Sequence, residues 1–248
     1  MDFTNKVVLV TGSSRGIGQA CAIQFAKAGA KVAVHYNRNL QSAEETIGMM
    51  EGDGHIIVGA DMADADAVKT MVDTVVEKMG RIDILVNNAG IFVEHKIAEV
   101  DYATWQEKWR ETIDVNLIGA ANACYCAAQY MIKQGGGRIV NVSSRGAFRG
   151  EPNAPAYGAS KAAMNSMGQS LAKALAPHNI YVATVAPGWV MTDMAADHLS
   201  DDIKAQSPLN RIATPDEIAH AVLFFASEGA EFATGAILDV NGASYLRT

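Results

Sequence analysis

Long apolar runs are missing from this chain of 248 residues. The longest, Val115 to Ile132, is broken by Asn116, Asn122 and Gln129 and is rich in alanine. It reads as a buried helix, not a membrane span. Basic blocks and acidic tails are missing too, and the net charge is −7. That argues against nucleic acid and anionic membrane as partners. Cysteine is scarce, and Cys21, Cys124 and Cys126 have no metal-ligand spacing. They read as reduced, buried thiols of a cytoplasmic protein, with no disulfide and no metal. Met1-Asp2-Phe3 opens directly into a strand, so no signal peptide is visible. One more absence bears on chemistry: no Asp or Glu occurs between Thr11 and Ala43.

What is present is a regular alternation. Lys6 to Val10 is short, apolar and rich in valine, as a parallel strand buried on both faces should be. Further strands are expected over Lys31 to Tyr36, His55 to Ala60, Ile82 to Val86, Gly137 to Val142, Tyr181 to Val185 and Ala236 to Val240. Helical patterns fill the intervals. Gln19 to Ala28 ends at Gly29 as its C-cap. Ser42 to Met50 opens with a capping box, Ser42-x-x-Glu45. Asp64 to Met79 has acids in its first turn. Tyr102 to about Gln134 is expected to be helical, in two segments meeting near Asn116. Thr214-Pro215-Asp-Glu217 caps the last helix. No linker or repeat interrupts residues 1–248. The prediction is one doubly wound α/β domain, a seven-stranded parallel sheet with helices on both faces. The stretch at about 190–210 turns polar and methionine-bearing (Met191, Met194, His198, Ser200), as a lid over a site would.

The first strand runs into Thr11-Gly-Ser-Ser-Arg-Gly-Ile-Gly18. Glycines at such a turn let backbone N–H groups approach a pyrophosphate at a helix N-terminus. An NAD site of this kind usually places an acid at the end of the second strand, against the ribose 2′-hydroxyl. Here that region reads His35-Tyr36-Asn37-Arg38, with Arg15 in the glycine turn. Two guanidiniums and no carboxylate suit a 2′-phosphate. NADP(H) is therefore expected in preference to NAD(H), which remains possible.

Ser143 and Ser144 stand at the C-terminal end of the fifth strand, where open α/β sheets bind ligands. Tyr157 and Lys161, four apart, share one helix face. A hydroxyl, a phenol and an ammonium suit proton transfer at an alcohol oxygen, and a nearby Lys⁺ favours the phenolate. The loop between them carries Arg145, Phe148 and Arg149. One arginine could face an anionic or polyhydroxylated substrate; the plainer alternative is that both face solvent or pair with Glu151. Trp189, His95 and Met194 are possible pocket walls.

With these residues in place the chain resembles the short-chain dehydrogenase/reductase family over essentially its whole length. Thr11-Gly-x-x-x-Gly-Ile-Gly18, Asn87-Asn-Ala-Gly90, Asn116, Ser144, Tyr157-x-x-x-Lys161 and Pro187-Gly188 with Thr192 fall in family order, with thirteen residues from Ser144 to Tyr157. The resemblance implies a Rossmann-type fold and hydride transfer between a carbonyl and a secondary alcohol. It implies Tyr157 as general acid or base, and Lys161 as the group that lowers its pKa and holds the nicotinamide ribose. Ser144 polarises the carbonyl, and Asn116 holds a relay water. Gly12, Ser14, Arg15, Gly16, Ile17 and Gly18 make the pyrophosphate turn, with Arg38 beyond it. Asp61 meets adenine, Asn88 the adenosine ribose, and Pro187, Gly188 and Thr192 the nicotinamide side. Relatives are usually homotetramers. The closest branch holds 3-oxoacyl-carrier-protein reductases and sugar or polyol dehydrogenases. An NAD-dependent polyol dehydrogenase and a non-catalytic dinucleotide sensor stay open as alternatives. One departure stands out: of the glycine pair usual after the last strand only Gly242 remains, followed by Ala243.

Overall fold

The computed structural model describes residues 1–196 and 200–247, so His198 lies outside them. Seven strands form one sheet: β1 (Val7–Val10), β2 (Lys31–Tyr36), β3 (Ile56–Gly59), β4 (Ile84–Asn87), β5 (Gly137–Val142), β6 (Ile180–Pro187) and β7 (Ile237–Val240). Their order is β3-β2-β1-β4-β5-β6-β7 and every pairing is parallel. The described helices are α1 (Gly16–Lys27), α2 (Leu40–Gly48), α3 (Ala65–Met79), α4 (Tyr102–Ile113), α5 (Gly119–Gln134), α6 (Gly146–Arg149), α7 (Pro155–Leu175), α8 (Asp193–Ala196), α9 (Asp201–Ala205) and α10 (Pro215–Ala226).

Alternation along β1 divides the core. Val8 and Val10 join the layer formed with α1 and α10, whose Phe25, Ile218 and Val222 are fully buried. Val7 and Leu9 face the other layer, with Val72 of α3 and Ala127 and Met131 of α5. Successive strand side chains point to opposite faces, so a valine-rich strand can serve two layers at once. This is the expected doubly wound sheet. The order reverses between β1 and β4, and the crevice at the C-terminal ends of those strands is where ligands bind in such sheets.

Element boundaries moved where a polar group offered a better partner. The cap of α2 is Asn39, whose side chain accepts from Ser42 N–H, so the expected Ser42–Glu45 capping box is not formed. Glu45 takes Gln41 instead. β4 starts late because the Asp83 carboxylate is turned to Val7 N–H and Arg81. The capping box at Thr214 and Glu217 forms as expected. The long segment from Tyr102 to Gln134 is two helices joined at Asp114–Ile118 by a π-helical turn that contains Asn116. Such turns concentrate at functional sites.

Candidate active site

The two halves of the site lie at the ends of β1, β4, β5 and β6. In the glycine turn, Gly12 and Gly16 have φ of +65° and +59°, conformations that glycine alone adopts freely. A Cβ on Gly18 would lie 2.3 Å from the Gly12 carbonyl oxygen. The N-terminus of α1 has no side-chain cap and no acid in its first turn, so its N–H donors point outward without an internal partner. Uncapped donors, left-handed glycines and a close-packed backbone fit a pyrophosphate. Ser14 offers its carbonyl to Thr46, and Ile17 packs on the core.

The residues expected around this turn reach it by different routes. The Asn88 side-chain amide donates to the Thr11 and Gly12 carbonyls, at 2.9 and 3.1 Å, and so ties the β4 turn to the glycine turn. Asp61 is exposed beyond β3 and accepts from Ala63 N–H. Arg38 is exposed beyond β2. Arg15 is exposed and stands 3.6 Å from Asp193 of α8, a surface pair of about 0.2–1 kcal/mol at most. Pro187 ends β6, the Gly188 N–H donates to Val240, and the Thr192 methyl comes within 3.2 Å of a Cβ built on Gly16.

The second half is tighter. Asn116 is fully buried. Its Oδ1 accepts from Ile91 N–H at 2.8 Å, and its Nδ2 donates to the Ile91 carbonyl and Ser160 Oγ. A methyl added to Gly90 would lie 3.2 Å from Asn116 Oδ1 and 3.4 Å from Lys161 Nζ, so the β4 turn threads between these two side chains. Lys161 is 3% exposed and its Nζ donates to the Val142 carbonyl at 2.9 Å. Ser144 Oγ accepts from Gly146 N–H at 3.0 Å, beside the Tyr157 hydroxyl. The Tyr157 ring packs edge-on to Phe92, centroids 5.1 Å apart.

Electrostatics in this half of the site follow from burial. Burial pushes the Tyr157 phenol up to about 12, the Ser144 hydrogen bond pulling against it and the Glu151 carboxylate adding to it. Burial lowers Lys161 to about 8. Both shifts have one cause: a dry site disfavours each ionised form. Lys161 Nζ is turned to the Val142 carbonyl. A phenol that keeps its proton is an acid in waiting, suited to protonating a carbonyl oxygen.

The arginines divide. Arg149 stands 3.6 Å from Glu151, the plainer of the two expectations. Arg145 fits neither: it is 3% exposed and its guanidinium donates to Ser244 Oγ at 2.6 Å and Gln206 Oε1 at 2.5 Å. It thus ties the loop after Ser144 to α9 and the C-terminal segment, beside a cavity of about 190 Å³ walled in part by Trp189. Met194 is exposed, whereas His95 is buried and accepts from Ala156 N–H at 3.2 Å, at the start of α7. Sequence reasoning missed the buried hydrogen bonds of Arg145 and those of His35, whose ring accepts from Gly12 N–H. For His35 a signal existed: a polar residue at an inward position of a valine-rich strand.

A family model described as enoyl-(acyl carrier protein) reductase matches residues 12–243. The chain is 38% identical over 247 residues to the 3-oxoacyl-[acyl-carrier-protein] reductase FabG of Staphylococcus aureus, covering 97% of this chain and 98% of that one. It is 36% identical over 242 residues to the 3-oxoacyl-[acyl-carrier-protein] reductase of Synechocystis sp., covering 96% of each. Among solved structures, a short-chain dehydrogenase from Burkholderia cenocepacia in complex with NADP superposes with a TM-score of 0.90 at 33% identity, covering 98% of this chain and 99% of that one. One from Sinorhizobium meliloti, described as a short-chain alcohol dehydrogenase, gives 0.91 at 34% identity, covering 98% and 97%.

Proposed function

Because the chain belongs to the short-chain dehydrogenase/reductase family of oxidoreductases, we propose that it interconverts a carbonyl and a secondary alcohol with NADP(H), with 3-oxoacyl thioesters as the substrate class. The observation that carries the chemistry is the placing of Tyr157 and the buried Lys161 on α7 beside Ser144, with Lys161 Nζ 5.8 Å from the centre of the Tyr157 ring. The likeness to 3-oxoacyl-[acyl-carrier-protein] reductases supports the substrate class.

The nicotinamide, when bound, supplies the hydride. The rest falls to the chain. Ser144 hydrogen-bonds the substrate oxygen and Tyr157 gives it a proton. The Lys161 ammonium steadies the phenolate left behind and holds the nicotinamide ribose. The side chain of Asn116 is committed to Ile91 and Ser160, so a relay water would rest against the main chain of its π-turn. Gly12, Ser14, Arg15, Gly16, Ile17 and Gly18 take the pyrophosphate side, Asp61 and Asn88 the adenosine, and Pro187, Gly188 and Thr192 the nicotinamide. Arg15 and Arg38 supply charge for a 2′-phosphate, supported by the absence of any acid from Thr11 to Ala43.

Residues 1–248 act as one domain in this reading, with about 190–210 as its lid, in a cytoplasmic homotetramer. Cys21 and Cys124, free and buried, suit a reducing compartment. Among the described residues no helix is long and apolar enough to cross a membrane. Fluorescence titration of NADPH and NADH tests the cofactor. NADPH should bind at least about tenfold tighter, and Arg38→Ala should close the gap. NADPH-dependent reduction of an acetoacetyl thioester tests the substrate. No turnover there, with NAD⁺-dependent oxidation of polyols instead, would favour the polyol dehydrogenase alternative.

A further inference from the structure

β2 buries four residues in succession, Val32 to His35. An imidazole among valines is costly unless its nitrogens are satisfied. Nε2 lies 3.0 Å from the Ala60 carbonyl oxygen, so this nitrogen carries the proton. Nδ1 then holds a lone pair, and it accepts the Gly12 N–H at 2.8 Å. The main chain of His35 adds two bonds to the next residue: its N–H donates to Ser13 Oγ and its carbonyl accepts from Ser13 N–H, both at 2.9 Å. Gly12 in turn sets Gly18, since a Cβ on Gly18 would be 2.3 Å from the Gly12 oxygen. A displacement of Gly12 therefore reaches the N-terminus of α1.

We propose that His35 is a positioning residue for the dinucleotide: its neutral ring holds Gly12 in the conformation the phosphate turn requires, and a proton on Nδ1 releases it. This rests on the reading of that turn as the cofactor's pyrophosphate site. A protonated Nδ1 would set donor against donor at Gly12 and place a charge in a dry strand. Burial holds His35 below the ordinary imidazole range, opposed by the Ala60 carbonyl and by Asp61. Asp61, at the end of β3, is the charge acting on the ring; Gly12, Ser13 and Ala60 bring no titratable group. Bound dinucleotide favours neutral His35, so affinity falls as the pH drops through the lowered range of this imidazole.

The test is the NADP⁺ dissociation constant from about pH 7.5 to about pH 5 for wild type, His35→Asn and His35→Ala. Asparagine offers an oxygen to Gly12 and does not titrate. The cofactor's own 2′-phosphate titrates alike for all three, so the difference between proteins is what is read. Wild type should weaken at least about tenfold more than His35→Asn across the range. At the upper pH, His35→Asn should match wild type and His35→Ala should bind about tenfold more weakly. A His35→Asn curve that tracks wild type, or a His35→Ala that binds as wild type, overturns the proposal. His35→Asn alone decides if the alanine variant does not fold. Wild type that binds NADP⁺ at no pH would overturn the reading of the turn itself, a distinct result.

Discussion

Lys161 Nζ stands 5.8 Å from the centre of the Tyr157 ring and gives its hydrogen bond to the Val142 carbonyl at 2.9 Å. With the hydrogen bond spent on Val142, the phenol keeps its proton until a substrate oxygen takes it, and the cation on the same side of the site favours the phenolate that results. The pair is therefore set to give a proton.

That arrangement fixes a pH dependence. Lys161 is held near 8 by burial, so it is charged below that pH and loses its charge above it. Tyr157, near 12, keeps its proton across the same window. Reductive kcat/KM should be level up to about pH 8 and fall above it, and Lys161→Met should lower the rate and remove that break. Initial rates from about pH 6 to about pH 10 check this; a wild-type profile flat through pH 8 would rule it out.

Tyr157→Phe keeps the ring on Phe92 and removes the proton. Its kcat should drop by about 10²–10⁴-fold, the usual worth of a general acid. NADP⁺ affinity by titration should stay within about threefold, a change under 1 kcal/mol. A variant that retains a tenth of the wild-type kcat would place the acid elsewhere.

Gly18→Ala puts a methyl 2.3 Å from the Gly12 oxygen and 2.5 Å from Asn88 Nδ2. Backbone cannot yield there as a flexible side chain would. The variant should lose about 3 kcal/mol of stability, the upper range for overpacking, and its affinity for NADP⁺. Urea unfolding and fluorescence titration measure the two losses separately.

Ala243 has φ of +57° directly after Gly242 at +58°. A left-handed alanine costs about 1–2 kcal/mol. Ala243→Gly should raise stability by about 1 kcal/mol, or about 2–4 °C in Tm for a chain this size, with kcat unchanged. Calorimetry on the two proteins decides it, and an unchanged or lower Tm would mean that the strain is relieved elsewhere.

Much of the fold is legible in the sequence alone. The valine-rich β1, the glycines of the first turn and the capping box at Thr214 are local signals, set by propensity and by backbone sterics within a few residues. Period-2 and period-3.6 patterns specify which face of each element is apolar, and that is enough for a parallel sheet covered on both sides. The spacing of Tyr157 and Lys161 is likewise a property of one helix. What the chain could not announce is who meets whom across the sheet. Asn39 outbidding Ser42 for the cap of α2 was a contest between neighbours with similar chemistry. The grip of His35 on Gly12 joins residues 23 apart, and the reach of Arg145 to Ser244 joins residues 99 apart. The high pKa of Tyr157 depends on how completely the folded chain excludes water. Sequence determined the elements and the chemical groups they carry. The fold decided distances and dryness, because both arise only when segments far apart along the chain are packed against one another.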